Sequence, residues 1–193
     1  MNNKGTNRQR TQPVVMLRIE GERALFARPE FRSDLVTYDI ITPHAARGVL
    51  DAIYWRPGMT WIVDAIHVLC SIRTEVIAEA GRRSIILRDV SYVVDAHFET
   101  EAGADTGRHA AMFKRLALAA PRIHLGRAAF PGHATLLGKH ETIERIAGNA
   151  TIDHGWLLHS IDFGGDQRPR FFHAVGRGGL VAVPPPDSRL LFG

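Results

Sequence analysis

An α+β fold is the class this sequence predicts, and three observations point to it. A sharply punctuated helix, opened by Thr42 and Pro43 and closed by Pro57 and Gly58, follows an early apolar stretch. Two long stretches rich in β-branched residues come next, at 61–72 and 85–99. A segment of strong helix formers then precedes a run of short apolar pieces separated by Gly, Pro and His.

Residues 14–20, VVMLRIE, and the Gly21 after them read as a strand and a turn. Thr42 offers an N-cap hydroxyl and Pro43 the favoured first helical position, so HAARGVLDAIYW is predicted helical up to the stop at Pro57. WIVDAIHVLCSI (61–72) and IILRDVSYVVDAHFE (85–99) are predicted strands, the second alternating over part of its length. EVIAEAGRR between them is predicted to be a polar hairpin loop, its first half also compatible with a short helix. Gly107 precedes RHAAMFKRLALAA, a predicted helix with Arg108, Lys114 and Arg115 on a basic side and a stop at Pro121. A Gly, Pro and His-rich stretch (121–140) and the polar ETIERIAGNATID follow, then WLLHSIDF, RFFHAV and GLVAVP as predicted strands. The order β, α, β, β, α suggests the ferredoxin-like, split βαβ fold that many RNA-binding domains share. The predicted division is a flexible basic arm at 1–12, a ferredoxin-like domain at 13–120 and a small β-rich C-terminal extension at 121–193.

With 193 residues, 45% of them hydrophobic, the chain has enough apolar matter for a full core. Its net charge is only +4, but nearly all of its 24 basic residues are Arg. The guanidinium fork pairs bidentately with phosphate and carboxylate, which makes a polyanion a reasonable partner. The single cysteine, Cys70, excludes an internal disulfide and a Cys-based zinc site, and is expected to be a small core residue in a reducing cytosol. The polar N-terminus MNNKGTNRQRTQP has no apolar core of the kind a secretory signal needs, and no run approaches a bilayer-spanning length. The expectation is a cytoplasmic protein without membrane association.

The stretch LVTYDIITPHAARGVLDAIYWRP (35–57), with WIVDAIHVL, LRDVSYVVDAHFE, GRHAAMFKR, GWLLHSIDF and RFFHAV…GLVAVPP in collinear order behind it, resembles one known family. It is that of the CRISPR-associated fifth-family proteins of subtype I-C, the d-type members, which process precursor guide RNA. The resemblance implies an RNA recognition motif-like domain of the RAMP superfamily that binds the repeat hairpin of the transcript. It implies that the protein cuts there without metal or cofactor and remains on the crRNA 5′ handle. It would then be a subunit of the type I-C Cascade, beside its backbone and large subunits, and would meet target DNA through that complex. The family's site pairs a tyrosine at the end of the first helix with an adjacent Lys-His pair. By position these correspond to Tyr54, Arg108 and His109, with arginine standing where the family has lysine.

Metal-free RNA cleavage uses the ribose 2′-hydroxyl as nucleophile, so a protein must remove its proton, stabilise the phosphorane and protonate the leaving 5′-oxygen. His109 is the candidate for proton transfer, since histidine changes charge near neutrality. Arg108 can hold phosphorane charge but cannot act as acid or base. A phenol is too weak an acid to serve as a free base, so Tyr54 suits an orienting hydrogen bond. Arg47 and Arg56, within the matching segment, and Lys114, Arg115 and Arg177 are the candidate phosphate contacts, with Arg28, Arg32 and Arg127 behind them.

Each residue also has a plain structural reading. Tyr54 beside Trp55 fits a half-buried core position, His109 a helix-start surface residue, and the basic side of the second helix a solvated face. His124, His133, His140, His154, His159 and His173 crowd the C-terminal third, but without zincin spacing they read as scattered surface histidines; His159 and His173 are also possible RNA contacts. GRGG (176–179) is either a phosphate-approaching loop or a hairpin turn.

Overall fold

The computed structural model describes residues 15–31, 34–79, 82–119, 121–138, 141, 143, 150–161 and 168–193. The predicted arm at 1–12, Arg32 and His140 lie outside them. The chain forms a mixed, mostly antiparallel sheet with two helices, in the order β1 (Val15–Ala24), β2 (Leu35–Val36), α1 (Pro43–Ile53), β3 (Met59–Val68), β4 (Thr74–Glu79), β5 (Arg82–Thr100), α2 (Thr106–Leu118), β6 (Arg122–His124), β7 (Pro131–Leu136), β8 (Thr151–Ile161), β9 (Pro169–Arg177) and β10 (Leu180–Ala182). The sheet order is β6-β7-β1-β5-β3-β10-β9-β8, with β2 and β4 also paired to β5. Strands from both sides of residue 120 thus share one sheet. β5 is its spine, bonding β1 on one edge and β3 on the other along most of its length.

The helix α1 forms as its residues dictate. The Thr42 hydroxyl accepts from the Ala45 amide at 3.1 Å, and Pro43 takes the first helical position, where its missing N–H is no loss. Pro43, Ala46, Val49, Leu50 and Ile53 recur at helical spacing and are buried. Their stripe lies against β3 and β8, in one cluster with Leu17 and Ile19 of β1, Trp61 of β3 and Phe98 of β5. Full burial of a Leu or Ile side chain stabilises by about 1.5–3 kcal/mol.

Several expectations change here. α1 ends at Ile53, ahead of Pro57, so Tyr54 and Trp55 have left the helix; Tyr54 is its C-cap, extended at φ −157°. α2 starts at Thr106 with Asp105 as N-cap, its carboxylate accepting from the Arg108 amide at 2.9 Å. The segment 75–83 is mostly strand rather than loop. Glu75, Val76, Ile77 and Ala78 pair with Ile86, Ile85, Ser84 and Arg83, so the ladder supplies the backbone partners that a loop would have found in water. The Gly, Pro and His-rich stretch holds β6 and β7, of which β7 is held by its ladder to β1. GRGG is the β9–β10 hairpin turn, with Gly178 and Gly179 at φ 55° and 77° as a tight two-residue turn demands. Cys70 is half-buried just beyond β3, its Sγ accepting from the Ser91 amide at 3.3 Å, and is not a core residue. No helix among the described residues is long and apolar enough to cross a membrane.

Candidate nucleic-acid cleavage site

The end of α1 and the first turn of α2 meet above the Met59–Thr100 end of the β3–β5 ladder. An aromatic floor fixes the geometry. Trp61, Phe98 and Phe113 are essentially fully buried, with Trp61 centred 5.2 Å from Phe98 and 4.7 Å from Phe113. The Trp61 indole donates to the Tyr54 carbonyl at 2.9 Å, satisfying the buried backbone oxygen and locking the residue after the helix. Phe98 presents an edge to the His109 ring at 6.3 Å between centroids.

On this floor the Tyr54 hydroxyl lies 2.8 Å from His109 Nδ1. Tyr54 is buried, 7% exposed, and His109 is half-buried in α2. A phenol both donates and accepts, so it can serve either neutral tautomer of the ring. With the hydroxyl donating to Nδ1, the ring carries its proton on Nε2; with Nδ1–H donating to the phenol oxygen, Nε2 bears the lone pair. In both cases Nε2, which has no hydrogen-bond partner among the described residues, is the nitrogen left for chemistry. The Arg56 guanidinium stands over the Tyr54 ring at 5.2 Å and donates to the Trp55 carbonyl at 3.1 Å. Arg108, next to His109, is exposed, and its side chain makes no ion pair among the described residues.

The other candidates are dispersed. At 3.6 residues per turn Arg108 and Arg115 fall on one stripe of α2, while Lys114 lies roughly 100° away around the helix, so the three do not form one basic side. The Arg115 guanidinium contacts Met112 Sδ at 3.0 Å. Arg47 pairs with Asp51, 3.7 Å away on the same face of α1. Arg177 ends β9 in the hairpin whose Leu180 pairs with His67, near the far end of β3 from Tyr54. At about 3.3 Å per residue, that end lies some 20–25 Å away, so Arg177 does not join the site. Arg28 is engaged near Glu30, Asp39 and the Tyr38 ring. Burial, with Glu30 adding to it against Arg28, pushes the Tyr38 phenol up to about 12.

Of the histidines that crowd the C-terminal third, His124, His133 and His173 are exposed as expected, but two others are not surface residues. His154 and His159 are buried, as are His67 and His97, each of which faces a carboxylate across the β3–β5 pair: His67 Nε2 at 2.9 Å from Asp95 and His97 Nδ1 at 2.7 Å from Asp64. His173 is exposed, 3.0 Å from Asp153 and in tilted ring contact with Trp156. Among the described residues no group of three or more His, Cys, Asp or Glu could hold a metal ion. Sequence reasoning missed Trp61 as the clamp on Tyr54, and Asp105 as the cap that sets the phase of α2. The order Asp105-Thr106-Gly107 carried a legible cap signal; nothing local marked Trp61.

Comparison with known proteins agrees in sequence and in shape. Two relatives share the printed name CRISPR pre-crRNA endoribonuclease Cas5d. The one from Mannheimia succiniciproducens is 34% identical over 89% of this chain and 95% of its own. The one from Thermus thermophilus is 29% identical over 92% and 94%. A crystal structure described as a CRISPR-associated protein superposes with a TM-score of 0.82 at 23% identity, covering 94% of this chain and 97% of that one. A functionally uncharacterized protein from Streptococcus mutans does so at 0.79 and 26%, covering 94% and 98%. The sequence profile of the CRISPR-associated protein (Cas_Cas5) family, d-type, matches residues 14–184, and with that span nearly the whole chain belongs to this family.

Proposed function

We propose that this chain is an endoribonuclease that cuts precursor guide RNA at the repeat hairpin by 2′-hydroxyl attack, without a metal ion. It then stays on the crRNA 5′ handle as a subunit of the type I-C Cascade, against the backbone and large subunits and, through them, target DNA. The observation that carries the reading is the Tyr54 hydroxyl 2.8 Å from His109 Nδ1, which leaves Nε2 for proton transfer, with Arg56 over the Tyr54 ring and Arg108 next to His109 in the chain. The names of the two relatives support the same activity. In the reaction the 2′-oxygen loses its proton and bonds to phosphorus, the bond from phosphorus to the 5′-oxygen breaks, and that oxygen takes up a proton. The products carry a 2′,3′-cyclic phosphate and a 5′-hydroxyl. His109 transfers a proton through Nε2, Tyr54 holds the ring by Nδ1 in either tautomer, and Arg108 and Arg56 hold the phosphorane charge. Arg47, Lys114, Arg115 and Arg177 contact backbone phosphates away from the cut.

The ferredoxin-like reading is supported by the sheet order β7-β1-β5-β3 with α1 between β1 and β3 and α2 after β5. On it, the RNA-binding domain of 13–120 takes its fourth strand, β7, from beyond residue 120, and the rest of 121–193 is a β-rich extension at both edges of the sheet.

The arginine at 108, where the resemblance leads one to expect lysine, favours a second reading in which the chain caps the 5′ handle and does not cut. End-labelled repeat RNA incubated with the purified chain in EDTA separates the two. Cleavage at the hairpin base that disappears in His109→Ala supports the nuclease; tight binding with intact RNA supports the cap. Equal binding of the repeat and a scrambled hairpin would contradict both. Arg108→Ala is expected to slow cutting by about 10- to 100-fold, more than it weakens binding. Equal losses in the two would reduce Arg108 to a phosphate grip.

A further inference from the structure

A cavity of about 420 Å³ opens between the first half of α1, the start of β3 and the end of β8. Its walls include Arg47, Thr60, Trp61, His159, Ser160 and Arg170. Two permanently charged guanidiniums therefore line one pocket, and among the described residues each is steadied through a single nitrogen. Arg170 Nη1 donates to the Pro186 carbonyl at 2.7 Å, and Arg47 Nε lies 3.7 Å from Asp51 Oδ2. A guanidinium has five N–H donors in a planar fork, so most of each fork stays available to a ligand.

The described titratable neighbours do not cancel this charge. His159 Nε2–H donates to the Pro184 carbonyl at 2.9 Å, and Nδ1 accepts from the Ser160 hydroxyl at 3.0 Å, so the ring is fully used while neutral. Burial, then the charges of Arg170 and Arg47, hold its pKa below the ordinary value, outweighing the upward pull of the Pro184 bond. Among the described residues Asp51 alone offsets part of the charge of Arg47, and burial raises its carboxyl pKa against the pull of Arg47. Among the described residues the pocket thus keeps a net excess of positive charge.

Its position adds a second argument. Trp61 is a wall of this cavity and also the residue whose indole clamps the Tyr54 carbonyl. Arg47 precedes Tyr54 by two turns of helix, about 10 Å. A single polyanionic strand can reach both places.

We propose that this cavity is a phosphate-binding pocket, with Arg47 and Arg170 gripping a phosphodiester of the same RNA strand that reaches His109. The proposal rests on the RNA-cleaving reading of the Tyr54–His109 site, and it adds a subsite on the far side of Trp61. It is tested with the full chain and repeat RNA, using the wild type, Arg47→Gln, Arg170→Gln and Arg170→Lys, with Kd measured across a salt series. Each glutamine variant is expected to bind about 10-fold more weakly and to lose about 0.7–1 from the slope of log K against log salt. Arg170→Lys keeps the charge and is expected to restore the slope while recovering only part of the affinity. Weaker binding with an unchanged slope marks lost folded protein rather than a lost phosphate contact, and counts against the proposal, as does no change at all.

A second arm titrates the same proteins with inorganic phosphate and with adenosine monophosphate. Loss of phosphate binding with RNA binding intact would assign the pocket to a free phosphate and overturn the strand assignment. If the wild type binds and cuts RNA while the slopes do not move, only the pocket fails. If it binds no RNA, the pocket and the reading beneath it fall together.

Discussion

Tyr54→Phe removes one hydroxyl and leaves the ring seated on its aromatic floor. Stability is expected to fall by only about 1 kcal/mol, the net value of one hydrogen bond, whereas the cleavage rate falls about 10- to 100-fold because His109 loses the partner that orients its ring. Thermal melts and single-turnover rates on repeat RNA separate the two effects. A melt lowered by several kcal/mol with an unchanged rate would return Tyr54 to the core, which was its plain reading from sequence. The sequence showed a tyrosine at a helix end and a histidine at a helix start, 55 positions apart. Their meeting depends on the fold and was reachable only through the family resemblance. Burial of His154 and His159 was equally hidden, because each sits on a strand where a neighbouring element, not its own sequence, decides exposure.

At the scale of elements, local chemistry decided what could be read. Thr42 and Pro43 made α1 legible to the residue at its start, and the misplaced end came from treating Pro57 as the stop when the chain turns extended at Tyr54. β6 was missed because it is only three residues long, and β7 because it carries Pro and Gly and is held by partners distant in sequence. β4 was missed because its charged residues face partners across a ladder, Glu75 near Arg23 and Arg88, where polarity had suggested a loop. The β9–β10 turn supports a direct test. Gly179 holds φ 77°, and a Cβ there would stand 2.7 Å from the Val68 carbonyl oxygen, which itself borders the hairpin. Gly179→Ala is expected to destabilise the fold by at least about 1–2 kcal/mol in urea unfolding. No loss of stability would mean that GRGG is not the turn described and would reopen its reading as a phosphate loop.

Across the whole molecule, three histidines share one sign. Burial lowers the pKa of His44, with Arg47 adding to it, and lowers those of His154 and His159 as well. A histidine whose folded pKa is depressed gives stability that is complete above its unfolded value near 6.5 and is lost as pH falls through that value toward the folded one. Asp51, whose carboxyl is raised by burial, acts the other way and only at lower pH, in the carboxylate range. The melting temperature is therefore expected to fall by roughly a few degrees between pH 7.5 and pH 5.5, and His154→Gln to flatten that dependence. A melting temperature that rises over this interval would contradict the burial of these rings. The single sheet also explains why the division at residue 120, natural in the linear order of elements, has no counterpart at a strand edge: β7 bonds β1, and β10 bonds β3.

The most direct test of the central claim is chemical. Once the cut in repeat RNA has been mapped, the nucleotide on its 5′ side is replaced by its 2′-deoxy counterpart and both RNAs are incubated with the chain in EDTA. The account predicts cleavage of the all-ribose RNA to a 2′,3′-cyclic phosphate, none of the deoxy RNA, and none of either by His109→Ala. Cleavage of the deoxy RNA at the same rate, or an undiminished rate in His109→Ala, would contradict it.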